Sequence, residues 1–232
     1  MDEVRDAFRD ECRRLGEVLR TLDPAELDRP TDCRPWTVAE LLAHVRTGAG
    51  RLAGMLAAPA PAHAQVDAAG YFGAAKFTPE VDAARINAAQ AEAARGDAGR
   101  GPAGPADRPE LGADFDRVWQ ATLDAVDAHP PDRVVRTRHG DAMTVTEFLR
   151  TRVVEVGVHG LDLAAALDRS PWLTPAAGQV IADLLTGGRA VPQELGWDQL
   201  TLIRKATGRV PRGHAEQTVL DAAGIRLLAF GG

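Results

Sequence analysis

Two histidines and one glutamate stand in apolar stretches, where an ionisable side chain is costly to bury. Glu155 and His159 lie four residues apart in TRVVEVGVHGLDLAAAL, and His44 lies in TVAELLAHVRTGAGRL. Residues four apart share one face of a helix, and a buried polar group needs a partner. Two imidazoles and a carboxylate are a known ligand set of catalytic zinc, in which a fourth position stays open. His44, Glu155 and His159 are therefore candidate metal ligands.

The same residues also have a structural interpretation. Arg152 lies three residues before Glu155, so the two could form a buried ion pair and leave His159 as an ordinary core histidine. His44 lies beside Leu41 on the flank of an apolar stripe, where a single histidine is commonly structural. Spacing alone leaves the metal site and the ion pair as open alternatives. Arg152, a further charge on the same stripe, is a candidate catalytic residue.

Helical periodicity accounts for most of the chain. Apolar residues recur at steps of three and four, which predicts helices over 3–22, 37–56, 78–95, 111–128 and 144–167. The last of these is apolar on nearly every side and should be the most buried. We predict an all-α fold with a four-helix core over residues 1–167. A small, mainly helical C-terminal appendage is predicted over 168–232, with helical segments over 175–186, 193–206 and 214–223.

Local signals predict where several elements begin. Capping boxes of the T-x-x-E type place helix starts at Thr37 and Thr144. A Thr-Pro pair places another at Thr78. The remaining segments are predicted as irregular chain over 57–77, a loop over 96–109, a short hairpin over 133–145 and an extended tail over 225–232.

Composition excludes several classes of protein. The net charge is −6, whereas a general nucleic-acid binder needs a basic footprint. Two cysteines form no disulfide framework and fit a reducing cytosol. The charged N-terminal stretch has no apolar signal core, and no run reaches the roughly 20 apolar residues of a membrane span. We expect a cytoplasmic monomer or homodimer, with neither nucleic acid nor membrane as partner.

Two motifs resemble a known family. PTDCRPWTVAELLAHV combines a cysteine, a Trp-Thr-Val helix start and Leu-x-x-His-Val, and TRVVEVGVHGLDLAAAL combines a glutamate with His-Gly-x-Asp-Leu. In this order, and over roughly residues 1–167, they resemble the mycothiol-dependent maleylpyruvate isomerase family of the DinB-like metalloenzyme superfamily. The chain departs from that pattern at Arg34-Pro35, where the family often has Pro-Gly, and in its short C-terminal part. These departures leave the organic substrate open.

The resemblance implies a DinB-like four-helix bundle that holds one divalent metal, usually zinc, through His44, Glu155 and His159. It also implies mycothiol, a low-molecular-weight thiol, as cofactor or co-substrate, and a small electrophilic substrate. A metal-bound thiol is deprotonated and nucleophilic, so the expected activity is that of a mycothiol-dependent isomerase or S-transferase. The alternatives are a metal-dependent hydrolase with an activated water and a non-catalytic metal-binding bundle.

Five further residues are candidates for roles at or near this site. Arg204 and Arg209 belong to a basic cluster that could act on an anion or hold a cofactor, although a solvated face is the commoner explanation, and the ATGR run over 206–209 recurs in relatives. Trp36 either lines a cofactor pocket or only packs at the helix start. Asp162 either orients a metal ligand or faces solvent. For Cys33, a small buried residue is favoured over a nucleophile.

Overall fold

The computed structural model describes residues 1–73, 78–98, 108–225 and 227, and the predicted all-α fold is confirmed over them. The helices are α1 Asp2–Leu19, α2 Val38–Leu56, α3 Ala68–Tyr71, α4 Pro79–Ala98, α5 Arg108–Asp127, α6 Val145–Ala166, α7 Pro175–Thr186, α8 Gln199–Ala206 and α9 His214–Ala222. The predicted hairpin is present as antiparallel strands β1 Val134–Arg136 and β2 Ala142–Thr144. The predictions for 96–109 and 225–232 fall largely outside the described residues.

The core is a square of four helices. Both α1 and α2 pack against α5 and against α6, so the predicted four-helix core is confirmed. Outside the square, α4 packs against α2, α7 packs against α1 and α6, and α8 lies on α7. The division of the chain after residue 167 stays a prediction. Within the described ranges, no helix combines the length and the apolar character that crossing a bilayer would require.

The most buried helix is α6, as its apolar sequence predicts. Its buried set includes two charged residues, Arg152 and Asp162. Neither charge can be left without a partner at such depth. The partners of Arg152 and Asp162 therefore indicate the role of α6.

Capping geometry confirms the predicted helix starts and corrects one detail. Thr37 Oγ1 accepts a hydrogen bond from the Glu40 amide at 3.3 Å, and the Glu40 carboxylate accepts one from the Thr37 amide at 2.8 Å. Thr144 likewise caps α6. Glu147, however, does not complete the second box. Its carboxylate accepts a hydrogen bond from the Ala68 amide at 3.0 Å, because that amide opens the short helix α3 and needs an acceptor.

The single helix predicted over 193–206 is wrong. The segment forms a 3₁₀ turn, Gln193–Leu195, followed by α8. Gly196 has a left-handed φ of 60° and ends the turn, and Asp198 caps α8 by accepting from the Thr201 amide at 2.7 Å. A glycine followed two residues later by an aspartate ends one helical segment and caps the start of the next. Apolar spacing alone does not detect such a break.

The first helix is shorter than predicted. It ends at Leu19 rather than at residue 22. Leu22 is nevertheless buried, with 2% of its surface exposed. The apolar pattern predicts which residues are buried, and Leu22 is buried although the helix has already ended. The pattern therefore overestimates the length of the helix.

Candidate metal centre

His44, Glu155 and His159 converge in the structure. His44 lies on α2, and the other two lie one turn apart on α6. His44 Nε2 is 2.5 Å from Glu155 Oε1, and His159 Nε2 is 4.0 Å from the same oxygen. One donor atom from each of the three residues lies within 4.8 Å of the others. The fold thus brings together residues that are more than 100 positions apart in the chain.

The donor set fits a divalent metal. Zinc bonds of about 2.0–2.1 Å in a tetrahedral shell place neighbouring ligand atoms about 3.4 Å apart, and the two observed separations, 2.5 and 4.0 Å, lie on either side of that value. His44 Nε2 is buried, and apart from Glu155 Oε1 at 2.5 Å it has no polar partner among the described residues. A buried nitrogen of this kind is expected to have a partner, and an ion between the three side chains would supply it.

Asp162 holds the His159 ring. Its Oδ2 lies 2.9 Å from His159 Nδ1. A carboxylate can only accept, so Nδ1 carries the proton and the lone pair of Nε2 faces Glu155. Burial tends to raise the pKa of Asp162, but hydrogen bonds from His159 and Arg209 outweigh it and lower the pKa below its usual value. Asp162 is 4% exposed, which decides against the solvent-facing interpretation.

Arg209 connects the C-terminal segment to this centre. Its Nε donates to Asp162 Oδ1 at 3.0 Å, and its Nη2 donates to Asp162 Oδ2 at 2.7 Å. The pair has the bidentate geometry of a strong guanidinium–carboxylate contact. Arg204, by contrast, lies on α8 and does not line either cavity beside the histidines. The geometry gives no support to a catalytic role for Arg204.

Arg152 adjoins the other end of the centre. Its Nη2 lies 3.7 Å from Glu155 Oε2, and its guanidinium lies 4.8 Å from the centre of the Phe148 ring. Burial tends to raise the pKa of Glu155, but the adjacent His44 and Arg152 side chains outweigh it and lower the pKa well below its usual range. The ion pair and the three-residue cluster are therefore both present. Each uses a different oxygen of Glu155.

Close helix packing makes this arrangement possible. A Cβ at Gly48 of α2 would lie 3.2 Å from Arg152 Nη1 and 3.3 Å from Glu155 Cγ. Both separations are tighter than ordinary van der Waals contact. The missing side chain at Gly48 therefore lets α2 approach α6 where His44 meets Glu155.

Cys33, predicted as a small buried residue rather than a nucleophile, is half-buried and lies at the centre. Its Sγ is 3.0 Å from Asp162 Oδ2 and 3.9 Å from His159 Nδ1. Burial and the adjacent Asp162 raise the pKa of the Cys33 thiol to about 12. The thiol is therefore protonated at neutral pH, and its proton is available to the Asp162 carboxylate.

Trp36 covers the His44 ring. The ring centroids are 4.7 Å apart with an interplanar angle of 31°, and the Trp36 and His159 centroids are 6.5 Å apart. Trp36 is 6% exposed and lines a cavity beside His159. Its two predicted roles, packing and pocket lining, are thus compatible.

Two cavities meet at Glu155. One, which we call the arginine chamber, has a volume of about 170 Å³ and is lined by His44, Arg51, Arg138 and Arg152 among others. The second, which we call the cysteine chamber, has a volume of about 340 Å³ and is lined by Cys33, Trp36, His159 and Arg209 among others. Glu155, Phe72 and Arg85 line both. A reactant in the arginine chamber would thus reach His44 and Glu155, and one in the cysteine chamber would reach His159 and Glu155.

Asp162 should strengthen metal binding through His159. We expect Asp162→Asn to weaken zinc affinity about 10- to 100-fold, the usual cost of removing the outer partner of a histidine ligand. Chelator competition measures the affinity, and thermal unfolding checks that the variant is folded. The matched control is Asp168→Asn, since the Asp168 side chain is 95% exposed. Equal zinc affinities for the two variants would contradict the role of Asp162.

Comparisons with known proteins agree with the resemblance in sequence. Two solved structures, the "mycothiol-dependent maleylpyruvate isomerase" and a histidine-to-alanine mutant of it, match with TM-scores of 0.51 and 0.50 and identities of 19% and 18%. Each alignment covers 80% of this chain and 69% of the other, and at this identity it establishes the fold. No curated protein matches. Residues 8–164 match the family described as "Mycothiol maleylpyruvate isomerase N-terminal domain". Because that match spans more than half of the chain, the protein belongs to this family.

Proposed function

We propose that this protein is a metal-dependent enzyme that uses mycothiol as cofactor or co-substrate, as an isomerase or an S-transferase. The observation that carries the proposal is the convergence of His44, Glu155 and His159 where two cavities meet. Family membership supports the choice of thiol, since the matching family is named for mycothiol.

The three side chains would hold the ion. Two neutral imidazoles and one carboxylate match a catalytic zinc set with an open position. When bound, such an ion lowers the pKa of a coordinated thiol or water and makes it nucleophilic near neutral pH. Asp162 keeps His159 in the tautomer that a ligand needs, and Arg152 neutralises the Glu155 oxygen that faces away from His44.

The cysteine chamber is the better site for the thiol. It is the larger of the two cavities, and mycothiol is a larger molecule than a small electrophilic substrate. Trp36 offers an aromatic face there, and Arg34 and Arg209 offer hydrogen-bond donors.

The thiol chemistry has two outcomes. A thiolate that adds to an electrophilic double bond turns it into a single bond, which can rotate before the thiol is expelled. The net result is cis–trans isomerisation with the thiol regenerated. If the thiolate displaces a leaving group or stays attached, the same arrangement gives an S-transferase. Both outcomes require the thiol and the electrophile to lie side by side at Glu155.

Thermal unfolding of the zinc-loaded protein with mycothiol tests thiol use. A ligand at 100 times its Kd stabilises the native state by about 2.7 kcal/mol, so the Tm should rise by roughly 5–10 °C for a chain of this size. S-methyl mycothiol, which cannot ionise at sulfur, should give a clearly smaller shift. Absence of a shift at saturating mycothiol would contradict thiol use and favour the hydrolase alternative, in which a water occupies the open position.

A further inference from the structure

The arginine chamber carries an excess of positive charge. Two carboxylates, Glu92 and Glu155, line it. Five arginines line it as well: Arg51, Arg85, Arg95, Arg138 and Arg152. Guanidinium groups stay charged at every relevant pH. The lining therefore has more cations than its own acidic residues can neutralise.

Three of these arginines have carboxylate partners. Arg85 pairs with Asp82, Arg95 with Glu92 and Arg152 with Glu155. These pairs use both carboxylates of the lining, Glu92 and Glu155, together with Asp82, which lies outside it. Arg51 and Arg138 remain, and no carboxylate of the described residues forms an ion pair with either.

Arg51 and Arg138 face the chamber from different elements. Arg51 is part-buried and lies two helical turns after His44 on α2, so both side chains point to the same side of the helix. Arg138 lies in the turn between β1 and β2 and is exposed. Its Nε donates to His139 Nε2 at 3.2 Å, which occupies one of five N–H groups.

Positive charge outweighs negative charge around Arg51. Burial lowers the pKa of Arg51, and the neighbouring Arg138 and Arg152 guanidiniums lower it further, despite the opposing charge of Glu155. An anion placed between Arg51 and Arg138 would relieve this repulsion. Guanidinium forks match the two oxygens of a carboxylate, which makes a carboxylate a suitable ligand for the two arginines.

We propose that the arginine chamber binds a carboxylate group of the substrate through Arg51 and Arg138. With about 170 Å³, the chamber has room for the anionic end of a small molecule. Glu155 and His44 line the same chamber, so the carbon skeleton behind the carboxylate would reach the candidate ligands. The assignment of the larger chamber to the thiol rests on the proposed function, whereas the anion site rests on Arg51 and Arg138, which have no carboxylate partner within the described part of the chain.

Calorimetric titration with succinate tests the anion site. Both zinc-loaded and metal-free protein should bind succinate, and both should fail to bind its neutral diamide, succinamide. The double variant Arg51→Gln with Arg138→Gln should weaken binding about ten-fold or more, because it removes charged hydrogen bonds to the ligand. The matched control is Arg136→Gln, since Arg136 is exposed on β1 and lines neither chamber.

The outcomes separate the anion site from the proposed function. Succinate binding by metal-free protein that is lost in the double variant supports the site even if mycothiol gives no stabilisation. Equal binding of succinamide, unchanged affinity in the double variant, or an equal loss in Arg136→Gln would overturn it. Inorganic phosphate that bound ten-fold more tightly than succinate would overturn the carboxylate assignment. The single variant Arg138→Gln, at an exposed position, should keep the fold and weaken binding in the same direction.

Discussion

Replacing His159 with alanine should abolish the metal site while leaving the helical bundle folded. The variant removes one of three candidate ligands and also the group that Asp162 holds. We expect zinc affinity to fall by more than about 100-fold, because loss of an outer partner alone costs roughly 10- to 100-fold. Zinc should therefore raise the Tm of the wild type and leave that of the variant unchanged.

The control for this experiment is His63→Ala. His63 is exposed and lies outside the cluster, so its removal should leave zinc affinity unchanged. An affinity of His159→Ala within a few-fold of the wild type would show that the ligand assignment is wrong. Wild-type protein purified without a nickel column should carry a divalent metal. A content below about half an equivalent would contradict the metalloenzyme proposal itself.

Helical spacing selected the candidate ligands but left the metal site and the ion pair as open alternatives, because spacing compares residues only within one helix. It placed Glu155 and His159 on one face of α6, and the capping box at Thr37 placed His44 on a second helix with a defined start. Which faces of the two helices meet depends on packing. Gly48, which permits the close approach, is only a small residue when seen in sequence.

Contacts between distant segments could not be predicted in this way. Cys33 is 126 residues from His159 along the chain, and Arg209 is 47 residues from Asp162. Cys33 precedes α2 and Arg209 follows α8, and neither segment has a periodic apolar pattern. Periodicity says nothing about how such segments run over the end of a bundle, so it could not show that Cys33 and Arg209 both contact Asp162.

The two interpretations of Arg152 illustrate a different limit. An ion pair with Glu155 and a metal site seemed to be alternatives when only spacing was considered. A carboxylate has two oxygens and several lone pairs, so Glu155 lies beside Arg152 through Oε2 and beside both histidines through Oε1. Because the two oxygens of Glu155 can take different partners, the ion pair with Arg152 and the metal site are compatible.

Glu11 is a buried acid that the proposed function does not use. It lies in the apolar stripe of α1, three residues after Phe8 and four before Leu15, and is 1% exposed. Its Oε2 accepts from the Thr174 amide at 2.8 Å and from Thr174 Oγ1 at 2.7 Å. Its Oε1 is buried and has no hydrogen-bond partner among the residues that the structure describes. Burial raises the pKa of Glu11 to about 7, despite the two bonds from Thr174.

This raised pKa makes the stability of the fold depend on pH. From the unfolded value of 4.5 up to about 7, the native state holds a proton that the unfolded state has lost. Stability therefore falls as the pH rises through this window and does not fall further above it. A shift from 4.5 to about 7 corresponds to roughly 3 kcal/mol of stability lost by pH 8.

Glu11→Gln should therefore stabilise the protein at pH 8 and have little effect at pH 4.5. Glutamine keeps an acceptor for Thr174 and removes the buried charge, so we expect a gain of about 1–3 kcal/mol at the higher pH. Urea unfolding of variant and wild type at both pH values measures the difference. The matched control is Glu17→Gln on the same helix, where the partly exposed Glu17 pairs with Arg13 and Arg14 and the expected change is at most about 1 kcal/mol. A Glu11→Gln variant that is less stable than the wild type at pH 8 would show that the carboxylate is bound to a partner at Oε1, and that its charge holds α7 to the bundle.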